Sequence, residues 1–316
     1  MTNKIVGDSA LMKKIKDKIF IDKIIERAAK KLRVEEVCVN SDLEIKTIDY
    51  LIKQEYLEFS KIEIILKNNF LHNYPFGYAL IDQHNEIVGF MGTIFSMRTI
   101  ENKEHIYCNI HTWIVDKSFR INSFLLLTKL MKKNIILTAF TPIKTLVGLF
   151  EKFGFEKIKM RRRIIFLFHF PNFVNKKQHE IEKNRLLIEK LLNENDLNLY
   201  RNYFHVPCEK FVIVDKNDKT KYIFIIAAKF KIRGFQTLNL FYVSDNLKLK
   251  KDWDLITSII SKEFKVSFCV QTCFDERDCS IPNKALFTIN LTRDICVNNL
   301  STSSKLDILY SDLLIA

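Results

Sequence analysis

Apolar residues along the chain gather on either side of short polar turns, and the same arrangement occurs twice. In Tyr78–Arg98 (YALIDQHNEIVGFMGTIFSMR) two apolar runs flank Asp82-Gln83-His84-Asn85, and in Phe211–Lys231 two similar runs flank Asp215-Lys216-Asn217-Asp218. Each is the sequence form of a β-hairpin. Val115–Leu130 then lies more loosely over Val243–Ile259. Two matches in one order, about 133 residues apart in the hairpins, predict an internal duplication.

Around these units the pattern predicts an ordered series of elements. A strand over 34–39 and helices over 42–56 and 59–70 precede the first hairpin, and a long strand ending at Val115 follows it. Next come a helix over 124–131, a strand over 135–140, a helix over 143–153 and a closing strand after Phe155. The helix over 143–153 has the clearest period, with Ile143, Leu146, Val147 and Phe150 on one face and Gly154 at the cap position. A polar stretch at 171–182 marks a boundary. Beyond it helices over 181–192 and 197–204, the second hairpin at 210–231, a strand over 238–243, a helix over 253–264 and a strand over 266–271 repeat the plan. The tail over 304–316 ends on an apolar segment fit for a last helix or strand. Mixed strands and helices in this order predict an α/β layered fold.

At 316 residues the chain has room for two domains with cores of their own. With 47% hydrophobic and 28% charged residues it reads as a folded protein. No apolar run approaches the ~18 residues of a membrane span, and the amino-terminal residues do not have the layout of a secretion signal. A cytoplasmic location is expected. The seven cysteines fit reduced thiols. Cys269, Cys273 and Cys279 cluster, but at a spacing that matches no zinc pattern, so no metal is expected.

The net charge of +13 calls for anionic partners or reflects a Lys- and Ile-rich composition. Residues 1–33 form an arm with ten basic residues against four acidic ones. Its apolar stripe changes face near Phe20, which favours docking on its own domain over lying on a membrane, although peripheral membrane contact stays open. Nucleic-acid binding ranks last, since the basic residues form no aromatic-interleaved stripe. Arg161-Arg162-Arg163 falls in a strand, so neighbouring arginines face opposite sides and make no continuous patch.

The element order, with TWIVDKSFRINSFLLLTKL (Thr112–Leu130) and LTAFTPIKTLVGLFEKFGF (Leu137–Phe155) in sequence, resembles the GNAT superfamily of acyl-CoA-dependent N-acyltransferases. The likeness covers essentially all of residues 34–170, and the second half resembles a degenerate copy. It implies an α/β fold of two tandem GNAT-like domains, each a mixed, mostly antiparallel sheet flanked by helices. The domains are residues 34–172, with the acyl-CoA site, and 177–316, after the arm at 1–33.

The resemblance also implies a site. Backbone groups of Ile114 and Val115 would hold the thioester carbonyl, and the loop Arg120-Ile121-Asn122-Ser123-Phe124-Leu125 would hold the cofactor pyrophosphate, with a helix N-terminus behind it. Two positions depart from the superfamily pattern. Ser123 and Leu125 stand where small residues are usual, and Leu125 either crowds the cofactor or turns into the core. Phe150 stands where a tyrosine commonly protonates the departing thiolate, and a phenyl ring has no proton to give.

His111 is the candidate general base. It shares a predicted strand face with Asn109 and Trp113, and it is either that base or a hydrogen-bonded structural histidine. Glu86 is a weaker candidate, and Thr141 is expected to cap a helix rather than touch substrate. In the second copy the equivalent turn, Ser244–Lys251, has no glycine and carries an aspartate, so its lysines read as a solvated surface and no second cofactor is expected there. His205, Cys208 and Glu209 lie close in sequence without forming a nucleophile signature.

The expected activity is acyl transfer from acetyl-CoA or another acyl-CoA to a small-molecule amine by direct attack, the second copy shaping the acceptor cleft. An amino sugar or nucleotide-linked sugar is the acceptor suggested by family association. The alternatives are an acyltransferase fed by an acyl carrier protein, or a GNAT-fold binding or scaffold protein without catalysis.

Overall fold

The computed structural model describes residues 31–54, 70–71, 73–100, 103–131, 134–167, 179–232, 234–274, 288–299, 306 and 308–311. Most of the basic arm, nearly all of the helix expected over 59–70, residues 171–178 of the polar stretch and most of the tail lie outside these residues. The chain divides into two compact units: Met1–Lys157 with Cys296–Ser304, and Ile158–Ile295 with Lys305–Ala316.

Unit 1 opens with strand β1 (Arg33–Val37) and helix α1 (Asp42–Lys53). Ser41 starts α1 by accepting a hydrogen bond from the Glu44 amide, and acidic residues in the first turn suit the helix dipole. Strands β2 (Gly77–Ile81), β3 (Ile87–Ile100) and β4 (Lys103–Val115) follow, each antiparallel to the one before it in the sheet. The β2–β3 turn is tied by the Asp82 carboxylate, which accepts from the amides of His84 and Glu86 while Asn85 takes a left-handed φ of 64°. A 3₁₀ turn (Lys117–Asn122) leads into helix α2 (Phe124–Met131). Strand β5 (Ile136–Ala139) lies parallel to β4, and helix α3 (Lys144–Lys152) ends at Gly154, whose φ of +80° is the left-handed value that favours glycine. Ile143 precedes α3 as its N-cap without a side-chain hydrogen bond and is exposed, so it has no place on the apolar face of the helix.

Two cores lie on opposite faces of this sheet. Tyr78, Leu80, Met91, Cys108 and Ile110 pack against α2 and α3, and Val37, Ala79, Ile81 and Phe90 pack against Tyr50 and Leu51 of α1. The period of two in β3 keeps Phe90 and Gly92 on the α1 side and Met91 on the other.

The strand expected to close the first domain does form, as β6 (Glu156–Phe166). Its residues Arg161–Phe166 pair antiparallel with Phe268–Cys273 in unit 2, and the place beside β5 is taken by Cys296–Asn298 of β12 (Thr288–Asn298). Pairing across sequence distance is not written in a strand's own composition.

Unit 2 continues with β7 (His179–Glu182), α4 (Arg185–Leu191) and α5 (Glu194–Asn202). The helix expected from residue 181 starts later because 179–182 pairs with β8 and Asn184 caps the amides of Leu186 and Leu187. Strands β8 (Glu209–Asp215), β9 (Tyr222–Ile232) and β10 (Phe235–Val243) are antiparallel neighbours, and β11 (Phe268–Cys273) is parallel to β10. Helices α6 (Asn246–Lys251) and α7 (Trp253–Phe264) connect them, with α7 covering Ile223, Ile225, Leu238, Leu240 and Cys269. The turn Ser244–Lys251, expected to carry solvated lysines, is partly helical, capped by Asp245 on the Lys248 amide and anchored by buried Leu249; Lys250 and Lys251 are exposed, but the Nζ of Lys248 is buried. No helix among the described residues is long and apolar enough to cross a membrane.

Candidate functional site

β4 and β5 part company in mid-course. They pair at Tyr107–Ile136, Cys108–Leu137 and Asn109–Thr138 and no further, while β4 runs on to Val115 against β3. Over Ile110–Val115 no strand among the described residues pairs with the β5 side of β4.

A bulge sits in this segment. Gly92 pairs with His111 and Phe90 with Ile114, so Thr112 and Trp113 stand opposite Met91 alone. Thr112 takes a φ of +45°, a conformation that costs a β-branched residue about 1–3 kcal/mol. The bulge overturns the expectation that His111 and Trp113 share a face. His111 projects beside Gly92 on the α1 side, whereas Trp113 packs with the α2/α3 core and meets Phe150 edge-on at 5.6 Å. Counting by twos along a strand fails wherever one extra residue enters it.

His111 is 4% exposed. Its Nδ1 lies 2.8 Å from Thr112 Oγ1, and its Nε2 is buried with no partner among the described residues. Burial pushes its pKa down to about 4, so the ring is neutral at neutral pH. If Nδ1–H is given to Thr112, Nε2 keeps its lone pair free to accept a proton. Trp113 Nε1 is likewise buried without a hydrogen-bond partner. Asn109 and Thr138, at the last β4–β5 pair, are buried and linked through their side chains at 3.4 Å.

After Val115 the chain turns through Asp116. Its carboxylate accepts hydrogen bonds from Tyr50 Oη at 3.0 Å and Gln54 Nε2 at 2.9 Å, which ties α1 to the loop. Burial, followed by the Asp116 charge, raises the Tyr50 pKa, so the phenol keeps its proton. Arg120 is exposed and donates from Nε to the Val115 carbonyl at 3.3 Å; Ile121 is also exposed, and Asn122 and Ser123 are half-buried. Phe124 and Leu125 are buried in the α2/α3 core. Of the two options for Leu125, the chain takes the turn into the core. Phe150 is buried between Trp113 and Phe155.

Two features of the site escaped the sequence reading. At Gly92 the sequence signal is only an isolated glycine within a strand pattern, which marks a close approach without naming its partner; the approaching group is the His111 ring. Asp116 gave no signal, because its partners lie 62 and 66 residues away. Elsewhere, Glu86 is exposed beside the β2–β3 turn. Lys210 Nζ is held by the carbonyls of Tyr203 and Val206 and lies 3.7 Å from Cys208 Sγ, a thiol that burial pushes up in pKa. Cys269 and Cys273 are buried in β11, the Cys269 thiol pushed up to about 12 by burial.

No protein-family model matches the sequence, and no curated protein matches it. Solved structures do. A GCN5-related N-acetyltransferase from Anabaena variabilis ATCC 29413 is similar at a TM-score of 0.57 and 11% identity, over 84% of this chain and 72% of that one. One from Kribbella flavida is similar at 0.58 and 10%, over 85% and 71%. A probable N-acyltransferase of unknown function from Enterococcus faecalis V583 follows at 0.53 and 12%, over 84% and 71%. At such identities the likeness is one of fold: the chain has the GCN5-related N-acetyltransferase fold, an α/β architecture of mixed, mostly antiparallel sheets flanked by helices.

Proposed function

We propose that the protein is an acyltransferase that moves an acyl group from acyl-CoA to an amine, with the reacting groups in unit 1. The observation that carries this reading is the parting of β4 from β5 after Asn109–Thr138, which leaves Ile110–Val115 with an unpaired edge leading into the Arg120–Leu125 loop and α2. An extended pantetheine arm is a strand-like partner for such an edge. The backbone at Ile114 and Val115 polarises the thioester carbonyl, and Arg120 with the amides of the following turn faces the pyrophosphate.

An attacking ammonium must first lose a proton. His111 Nε2, unpartnered among the described residues, is placed to receive it on the α1 side of the sheet, burial making the ring a weaker base than a free imidazole. The amine then attacks the carbonyl directly, the tetrahedral oxyanion is held by backbone N–H, and the carbon–sulfur bond breaks to release CoA thiolate. Phe150 supplies no proton to that thiolate, so water does, or it leaves as the anion. Alignment of the two reactants provides much of the acceleration.

Unit 2 is read as a second copy that has diverged. β8–β9–β10–β11 repeat the strand senses of β2–β3–β4–β5, and β10 carries a bulge between Leu240 and Tyr242, close to the point equivalent to the β4 bulge. The location is read as cytoplasmic, and the acceptor as a small-molecule amine. Phe150 favours a second reading, a protein that binds acyl-CoA without turning it over.

Calorimetric titration with acetyl-CoA and longer acyl-CoAs tests both. Binding near one per chain with acyl transfer to amines supports the enzyme, binding without transfer supports the second reading, and no binding at millimolar acyl-CoA sinks both.

A further inference from the structure

One face of unit 2 carries polar groups that the described chain leaves unsatisfied. β6 and β11 set Arg162 directly opposite Thr272, and residues paired across neighbouring strands project from the same side of a sheet. That side is the one away from α7, because Ile165 and Cys269, each three residues off, pack with α7. Asn239, opposite Val270 on β10, shares it, since its neighbours Leu238 and Leu240 both face α7. Three adjacent strands thus bring Asn239, Thr272 and Arg162 into one diagonal row.

Asn239 Oδ1, Thr272 Oγ1 and Arg162 Nε are all buried, and none has a hydrogen-bond partner among the described residues; Asn239 is 1% exposed. Buried polar atoms are nearly always paired in folded proteins, so three orphans on one face point to a missing ligand. Arg293 of β12, the strand bordering β6, adds a second positive charge. Burial first, and then Arg293, lower the pKa of Arg162. Among the described residues no carboxylate pairs with either guanidinium. Two like charges, one of them half-buried, are held together without compensation.

We propose that this face of unit 2 binds an oxyanion, a carboxylate or a phosphate group, gripped by Arg162 and Arg293 with Thr272 donating to it and Asn239 lining the same face. Guanidinium forks and a hydroxyl suit such an anion. Arg293 is exposed and Arg162 half-buried, which gives the anion a route in from solvent. Every residue involved belongs to unit 2, so the site stands or falls independently of acyl transfer in unit 1.

The test titrates the full chain with sodium phosphate and with sodium acetate at constant ionic strength, followed by calorimetry and thermal unfolding. Saturable binding of one of the two is expected, with a rise in Tm that chloride does not reproduce, and the tighter anion identifies the source of the charge. Arg293→Ala should weaken binding about tenfold and Arg162→Met by more, as losses of charge-assisted hydrogen bonds do. Since each variant removes one of two repelling charges, both should be at least as stable as the natural chain without anion. The proposal is overturned if neither anion binds at tens of millimolar, or if Arg293→Ala lowers the Tm of the anion-free protein. The latter result would mean that the guanidinium is paired within the chain, for instance with Asp275, Glu276 or Asp278, which lie outside the described residues.

Discussion

The imidazole of His111 fills the space that a side chain on Gly92 would take, the two residues facing each other across β3 and β4. Gly92→Ala is therefore expected to push the ring from its place, costing about 1–3 kcal/mol in overpacking and about tenfold or more in turnover if the ring is the base. In a His111→Ala background the same substitution should be nearly silent. Thermal unfolding and turnover of the four proteins make a double-mutant cycle. Equal costs of Gly92→Ala in both backgrounds would show that the ring is not what the methyl group meets.

The buried ring also predicts a pH dependence. The folded pKa of about 4 lies below the ordinary value of 6.5, so the unfolded chain binds the extra proton between these values. The stability that the neutral ring contributes is full above 6.5 and is lost as pH falls through about 4. Its size is on the order of 3 kcal/mol. Urea unfolding of the natural chain and of His111→Asn at about pH 4.5 and about pH 7 should show a smaller pH difference in the variant. For the same reason kcat/KM should have no acid limb near pH 6.5 from this group. Parallel stability curves for the two proteins would mean that His111 titrates as an exposed histidine does.

Trp113 and Phe150 touch edge to face within the α2/α3 core, and the indole N–H is left without a hydrogen-bond partner. Trp113→Phe should therefore change the unfolding midpoint little for loss of that N–H, while a ligand that uses it would lose about tenfold in affinity or turnover. Phe150→Tyr restores a hydroxyl that can give a proton to the departing thiolate and should raise turnover. The two residues are in contact, so their effects should not add. Trp113→Phe that leaves both acyl-CoA binding and turnover unchanged would assign the indole to packing alone.

Local signals were legible wherever the chain determines its own conformation. The helix over 124–131, the strand ending at Val115 and the Gly154 cap were readable because period, turn chemistry and a left-handed glycine are properties of neighbouring residues. The face of Trp113 was not readable, because one extra residue at Thr112 flips the strand's alternation and leaves no mark in composition. Nor was the partner of β6, since an arginine-rich strand pairs equally well with β5 or β11 on propensity and the choice is made by tertiary packing. The Asp116 ties to Tyr50 and Gln54 belong to the same class.

Leu125 and Arg120 flank one turn and should fail in opposite ways. Leu125 is 4% exposed within the α2/α3 core, so Leu125→Ala should destabilise the protein by about 2–5 kcal/mol without tightening acyl-CoA binding. Arg120 is exposed and, among the described residues, reaches only the Val115 carbonyl, so Arg120→Ala should cost under about 1 kcal/mol of stability and weaken acyl-CoA binding about tenfold through loss of a phosphate contact. Chemical denaturation separates the stabilities, and calorimetry of acyl-CoA against the corresponding S-acyl pantetheine, which lacks the nucleotide and its phosphates, separates the affinities. Arg120→Ala should lower affinity for acyl-CoA and leave the pantetheine thioester unaffected, because only the former carries the pyrophosphate. An equal loss for both ligands would move Arg120 from phosphate binding to support of the β4 end.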